Sequence, residues 1–298
     1  MDQESAWVQS GATLGELYYA IAKKSKVHGF PAGSCSTIGV GGHFSGGGFG
    51  TIFRKYGLSS DNVIDAQIVD VNGKILNRTL MGEDLFWAVR GGGGSSFGVI
   101  TAWEVKLVPV PPTVTIFNVP RTLEQGANNL FQKWQTISHK LPSELFLDSV
   151  MGVANSSDNS RKTVVLNLLP LMQSNFAELG LQLNNFTEVS WIQSVLYFAD
   201  YSINGPLDVL LQRNQTFSNF KAKSDYVTEP ILVAGLVGLW NMLLEENTPI
   251  LILTLYGGRM SEISGSGTPF PLRNGSIYGI QYSVYWDQMK KHQSIWIG

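Results

Sequence analysis

A chain of 298 residues, 44% of them hydrophobic, has apolar material for two domains or one large one, and a net charge of -2 gives no cationic footprint for nucleic acid. One cysteine excludes an internal disulfide, and the four histidines (His28, His43, His139, His292) lack the spacing of ligands, so no metal site is expected. The longest apolar stretch, residues 231–244, is interrupted by Asn241 and stops at Glu245 and Glu246; it is too short to span a bilayer, reads as a buried helix, and leaves no membrane partner expected.

In chain order, residues 6–9 form a strand pattern, and Thr13 with Glu16 makes a capping box at the start of a helix whose Leu14, Leu17, Tyr18 and Ile21 recur at helical spacing. Residues 62–71 read as a strand that turns at Asn72-Gly73 and returns over 74–76. Two glycine clusters stand out, one over residues 39–50 and one at Gly91-Gly92-Gly93-Gly94 running on to Gly98. Glycine gathers where the backbone takes positive φ or a ligand comes close. A strand at 99–107 ends on Pro109, Pro111 and Pro112, a stiff break taken as a domain boundary. Beyond it, helices at 123–140 and 234–246 and strands at 163–169 and 249–256 make an α+β layer without glycine clustering.

Position tests the common glycine motifs. The Gly-Lys pair at Gly73-Lys74 is followed by Ile75 where a Walker loop needs a hydroxyl. The sixth place of each Rossmann candidate holds Phe44, Thr51 or Phe97 instead of glycine. Gly94-Ser95-Ser96-Phe97-Gly98 matches a Gly-x-Ser-x-Gly elbow, but glycines precede Ser96 and a strand pattern follows it, the reverse of the strand-to-helix corner an elbow needs. A serine esterase using Ser96 is therefore a distant alternative.

The segment Pro31-Ala32-Gly33-Ser34-Cys35-Ser36-Thr37-Ile38-Gly39-Val40-Gly41-Gly42-His43-Phe44-Ser45-Gly46-Gly47-Gly48 resembles a flavin-binding segment of plant berberine bridge enzyme-like proteins, FAD-linked oxidoreductases of the vanillyl-alcohol oxidase superfamily. Asp84-Leu85-Phe86-Trp87-Ala88-Val89-Arg90 with the glycines and Phe97-Gly98-Val99-Ile100 resembles a second, and Tyr256-Gly257-Gly258-Arg259-Met260 and Ile280-Gln281-Tyr282 resemble landmarks of the substrate domain. The fold this implies is α+β: a PCMH-type FAD-binding domain at residues 1–110, represented by its second subdomain, then an antiparallel-sheet substrate domain at 111–298 with helices on one face. The resemblance further implies that the family's first subdomain, its histidine link to flavin and its closing segment lie outside this span, so that residues 1–298 by themselves are expected to be inactive.

By the same resemblance FAD is the cofactor, joined covalently to Cys35 and touched by Gly33, Thr37, Ile38, Gly39, Gly41, Gly42, His43, Ser45, Gly46, Gly98, Val99 and Ile100. The alternative for Cys35 is a small buried thiol. His43 would place a donor or positive charge near the ring, against the alternative of a core histidine satisfied by backbone. Ile38 corresponds to the position lining dioxygen's approach. Gln281 would face the flavin as the catalytic residue, whereas Gly279 stands where relatives carry an acid or a base and cannot itself take a proton. The implied reaction is hydride transfer from an alcohol, carbohydrate or alkaloid-like small molecule to flavin, with dioxygen or another acceptor reoxidising it; the residues do not choose among these. A catalytically inactive remnant or binding protein of the same fold is the second reading. Five Asn-x-Ser/Thr sequons (Asn77, Asn155, Asn185, Asn214, Asn274) together with the resemblance imply a secreted glycoprotein, extracellular or in the cell wall, although the polar start of the chain has no secretory signal pattern.

Overall fold

A computed structural model describes residues 4–155, 162–172, 186–214, 219–245 and 249–286. The first part contains β1 (Ser5–Gln9), α1 (Leu14–Lys24), β2 (His28–Gly29), α2 (Val40–Ser45), α3 (Phe53–Tyr56), β3 (Val63–Val69), β4 (Ile75–Leu76), α4 (Arg78–Val89), β5 (Val99–Lys106) and β6 (Val108–Pro109). Its main sheet has the order β1-β5-β3-β4 with antiparallel neighbours. The capping box forms as expected: the Thr13 hydroxyl accepts from Glu16 N, and the Glu16 carboxylate accepts from Thr13 N. Leu14, Leu17, Tyr18 and Ile21 are then buried against the sheet's Val8, Trp103 and Val105.

The second part contains β7 (Val114–Ile116), β8 (Val119–Thr122), α5 (Ala127–Ile137), β9 (Phe146–Asn155), β10 (Lys162–Met172), β11 (Thr187–Val189), α6 (Trp191–Phe198), β12 (Asn219–Val227), α7 (Val233–Glu245), β13 (Ile250–Leu255), α8 (Arg259–Glu262) and β14 (Tyr278–Trp286). Its strands run β11-β7-β10-β9-β13-β14-β12, with β8 also on β10. Alternation divides this sheet. Leu147, Met151, Leu251, Leu253, Tyr278 and Ile280 face α5 and α7 and form one core with Phe131, Trp134, Leu236 and Trp240. The stretch at 231–244 is thus amphipathic rather than buried all round: Leu232, Val233, Val237 and Met242 are exposed. No helix among the described residues is long and apolar enough to cross a membrane.

The opposite, inner face of the sheet turns toward the first part. Phe146 at the start of β9 meets Phe53 of α3 and Phe198 of α6, with ring centroids 6.3 and 6.1 Å apart, and Tyr256 meets Phe53 at 5.3 Å. Residues 191–213 fold back onto α1: Trp191 packs edge-on to Tyr18, and Arg213 forms an ion pair with Glu16. Gly15 permits this approach, since a Cβ there would lie 2.1 Å from Leu210 O.

Candidate functional site

The two glycine clusters, far apart in sequence, meet in space. The Ser45 carbonyl at the end of α2 accepts from Gly93 N at 2.9 Å, and a Cβ on Gly94 would lie 2.4 Å from the Ile100 side chain and 3.0 Å from Ser45 Oγ. Gly98, with φ +152, lets the chain pass Val69 O, where a Cβ would come within 2.4 Å, and so starts β5 in register with β3. The Val99 side chain points outward and is exposed, while Ile100 turns in toward α2.

Along α2 the glycines divide by side. Gly41 faces inward: its amide donates to Ser10 O at 3.1 Å, and a Cβ would press Ser10 at 3.0 Å. Gly39 and Gly42 face outward, where a Cβ would meet nothing within 4 Å, and Gly46 continues that exposed side one turn on. Cys35 is a free, exposed thiol on the turn before α2, closed by Ile38 N donating to Cys35 O, and Ile38 beside it is 39% exposed. Ser36 and Ile38 hold this turn against α1 through their carbonyls, which accept from Gly15 and Leu14, while Thr37 between them is half-buried. The result is a strip of bare backbone beside an accessible sulfur. A flat, polar ring system can lie against such a strip and hydrogen-bond to main-chain groups.

His43 sits beneath this strip. Its Nε2 accepts from Gly33 N at 2.9 Å, which places the ring proton on Nδ1. Gly33 and Gly48 enclose the ring, for Cβ atoms there would come within 3.0 and 2.8 Å of it. Burial pulls the imidazole down to about 4, so at neutral pH it is uncharged. A positive charge is therefore not held there, and the ring is a buried histidine whose Nε2 is satisfied by the Gly33 amide. In the unfolded chain the ring binds a proton below 6.5, and folded it does so only near 4. Between those values the unfolded state carries the extra proton, so stability from His43 is complete above 6.5 and falls as pH drops, by up to about 1.4 kcal/mol per pH unit. Chemical denaturation at a series of pH values should show this slope, and His43→Gln should flatten it.

Ser45 is not a free hydroxyl, since its Oγ donates to Gly41 O at 2.7 Å. Gln281 lies on β14, on the inner face of the large sheet with Gly279, and its Nε2 donates to Ser283 Oγ at 3.0 Å. Ser96 occupies a short 3-10 turn that leads into β5, so the strained strand-to-helix corner of an elbow is absent there.

Three further features hold this arrangement. The loop before β14 straps across both glycine clusters: Phe270 lies against Gly47 and Gly91, Pro269 against Gly92, and Trp87 Nε1 donates to Ser266 O. Its anchor is Arg273, buried and paired through two nitrogens with Asp61 at 2.7 and 2.8 Å, with Thr268 as a third partner. Arg54 of α3, fully buried, donates to the carbonyls of Tyr256, Pro142 and Leu141 at 2.9, 3.1 and 2.8 Å and also to Leu145. Sequence reasoning missed all three, because no local pattern marks which arginine will be buried. Among the described residues no group of His, Cys, Asp or Glu is placed as metal ligands would be.

In this fold a sheet-and-helix unit with bare glycine backbone meets an antiparallel sheet, and residues 1–79 match the family model described as FAD binding domain. The chain is 48% identical over 311 residues to monolignol oxidoreductase AtBBE-like 13 of Arabidopsis thaliana, covering 100% of this chain and 58% of that protein. It is 49% identical to tetrahydroberberine oxidase of Berberis wilsoniae, covering 100% of this chain and 59% of that one. The solved structure of BBE-like 28 from Arabidopsis thaliana superposes with a TM-score of 0.88 at 46% identity, over 96% of this chain and 60% of that one. The chain belongs to the berberine bridge enzyme-like family of FAD oxidoreductases. It spans about three fifths of the length of these relatives.

Proposed function

We propose that this chain supplies the ring-facing half of a flavin site and the substrate-facing sheet of an oxidoreductase acting on an alcohol, carbohydrate or alkaloid-like small molecule. The observation that carries the reading is the open side of α2, where Gly39 and Gly42 present backbone with free space beyond it, next to the exposed Cys35 thiol. FAD, when bound, supplies the acceptor for a hydride and its electron pair. Cys35 would fix the ring covalently, Gly39, Gly42 and Gly46 would let it approach, and His43 Nδ1–H would direct a neutral donor toward it. Ile38, exposed at the edge of the strip, would restrict the path of dioxygen or another acceptor. Gln281, on the inner face of the sheet, would orient the substrate from the other side.

The substrate classes follow from the names of the relatives, a monolignol oxidoreductase and a tetrahydroberberine oxidase. A secreted, glycosylated protein is part of the same reading. Asn77, Asn214 and Asn274 are exposed, and Asn77 caps α4 through Oδ1, which accepts from Leu80 N at 3.1 Å and leaves Nδ2 free to carry a glycan. The test is anaerobic reduction, by a panel of a cinnamyl alcohol, a tetrahydroprotoberberine alkaloid and glucose, of flavin-loaded protein in which this span is joined to the further segments its longer relatives carry. Bleaching of the flavin absorption by at least one of them supports the reading; a flavin that none of them reduces counts against it.

A further inference from the structure

The large sheet ends differently on its two sides. One edge is β11, three residues long; the other is β12, nine residues long and paired among the described residues with β14 alone. Residues 220–225 are exposed in succession, so both faces of the strand are open as well as its outer backbone. An edge of this length presents a row of unpaired amides and carbonyls, which natural sheets commonly shorten, bulge or interrupt with proline. Strand β12 does none of these. It contains no proline, and its register with β14 runs without a shift from Asn219↔Trp286 to Val227↔Tyr278. The edge is thus a straight template on which another strand can add.

The charges on the strand say which partner fits. Lys221, Lys223 and Asp225 alternate onto one face with Val227, while Phe220, Ala222, Ser224 and Tyr226 take the other. Among the described residues none of these three charges is held in an ion pair. In an antiparallel pair, residues directly opposite share a face, and both turn their backbone groups either toward the neighbouring strand or away from it. Two copies of one strand meet that condition only when the twofold axis passes through a residue. An axis at Lys221 sets that lysine against its own copy, and one at Asp225 sets carboxylate against carboxylate. At Lys223 the axis pairs Lys221 with Asp225 but leaves Lys223 facing itself, and at Ala222 it puts Lys221 opposite Lys223 twice. An axis at Ser224 makes no like-charge pair. There Lys223 stands opposite the partner's Asp225, twice, with Ala222 opposite the partner's Tyr226 and Lys221 opposite the partner's Val227. Directly opposite charges stabilise a strand pair and like charges weaken it, so the sequence of β12 selects this register.

We propose that β12 is a self-association surface, on which two copies of this chain pair antiparallel about a twofold axis at Ser224 and join their large sheets edge to edge. The contact is isologous, the same strand serving both sides, so it closes on a dimer. Main-chain hydrogen bonds supply its attraction, and the two Lys223–Asp225 pairs set its register. Such a contact is narrower than a standard interface, so the dimer forms in a concentration-dependent way. Ser224 stands opposite Gln281 of β14, which places the axis one strand away from the residue that faces the first part of the chain.

Sedimentation velocity over a concentration series measures the association. Wild type should move from the 32.7 kDa of one chain toward twice that mass as concentration rises. Lys223→Asp and Asp225→Lys each create like-charge pairs on both sides of the axis, and each should weaken dimerisation by at least about 10-fold. The double exchange restores two opposite-charge pairs and should return the association to near wild type, a recovery that damage to the fold would not give. Cross-linking gives a second, geometric readout. In a Cys35→Ala background, Ser224→Cys brings two thiols directly opposite each other, within the Cα separation that a disulfide spans, so mild oxidation should yield a covalent dimer. Ala222→Cys should yield none, because its two copies stand about 14 Å apart along the pair. A chain that stays monomeric at every concentration overturns the proposal. A dimer that neither single exchange weakens, that the double exchange does not restore, or that cross-links through Ala222→Cys as readily as through Ser224→Cys overturns it too, since the contact then lies elsewhere or in another register.

Discussion

Replacing Arg54 with methionine is expected to weaken the fold by at least about 3 kcal/mol, since each buried acceptor left without a donor costs roughly 1–3 kcal/mol. The side chain is fully buried and joins α3 to Tyr256 after β13 and to the loop before β9, so one group ties the first part of the chain to the large sheet. Its partners are neutral carbonyls, not a carboxylate. Burial lowers the guanidinium to about 10, with Glu144 acting the other way, and it remains charged at neutral pH. Arg54→Lys should cost less than methionine but still be felt, because a single ammonium cannot reproduce a fork that reaches carbonyls on several sides. Urea denaturation measures the difference. A loss below about 1 kcal/mol, the size of one ordinary hydrogen bond, would mean that the carbonyls find other donors and that Arg54 does not join the two parts.

Gly42→Leu is expected to leave the folded chain as stable as wild type or slightly more so, and to weaken FAD binding by about 100-fold or more, the loss that follows when roughly 3 kcal/mol of contact is replaced by overlap. The two effects part because of where Gly42 points. A Cβ there meets nothing within 4 Å of the protein, so the new side chain occupies only the space proposed for the ring. Exchanging glycine for leucine inside α2 also favours the helix, by up to about 1 kcal/mol. Gly41→Leu is the control with the opposite outcome: its Cβ would press Ser10 at 3.0 Å, so the fold should suffer. Thermal unfolding and fluorescence titration with FAD read the two effects separately. Equal FAD affinity in Gly42→Leu and wild type would place the ring elsewhere.

Much of the fold was legible because several segments carry strong local signals. The Thr13–Glu16 capping box, the Asn72-Gly73 hairpin turn with Gly73 at φ +76, and the apolar alternation of β5 all act over a few residues. Helix α4 was not read, since Gly82 breaks its regular backbone and its apolar residues do not gather on one side. Helix α2 was hidden for a different reason: two of its six residues are glycine, which disfavours helix, and its stability comes from contacts to Ser10, Ala12 and Gly93 distant in sequence. Strand β12 is exposed along most of its length and has no apolar face to mark it.

The site divides in the same way. Cys35, the α2 glycines and Gly98 were singled out by a long motif, and the structure adds which glycines face inward and which face open space. His43 was singled out, but its neutral state follows from burial and from the Gly33 amide, which no spacing reveals.

The central claim is that the open strip beside Cys35 receives the flavin ring. The most direct measurement is the mass of the Cys35-containing peptide from protein saturated with FAD, denatured and digested. A flavin adduct on that peptide, absent from Cys35→Ala, is the expected result; an unmodified Cys35 thiol in a flavin-saturated protein would contradict it.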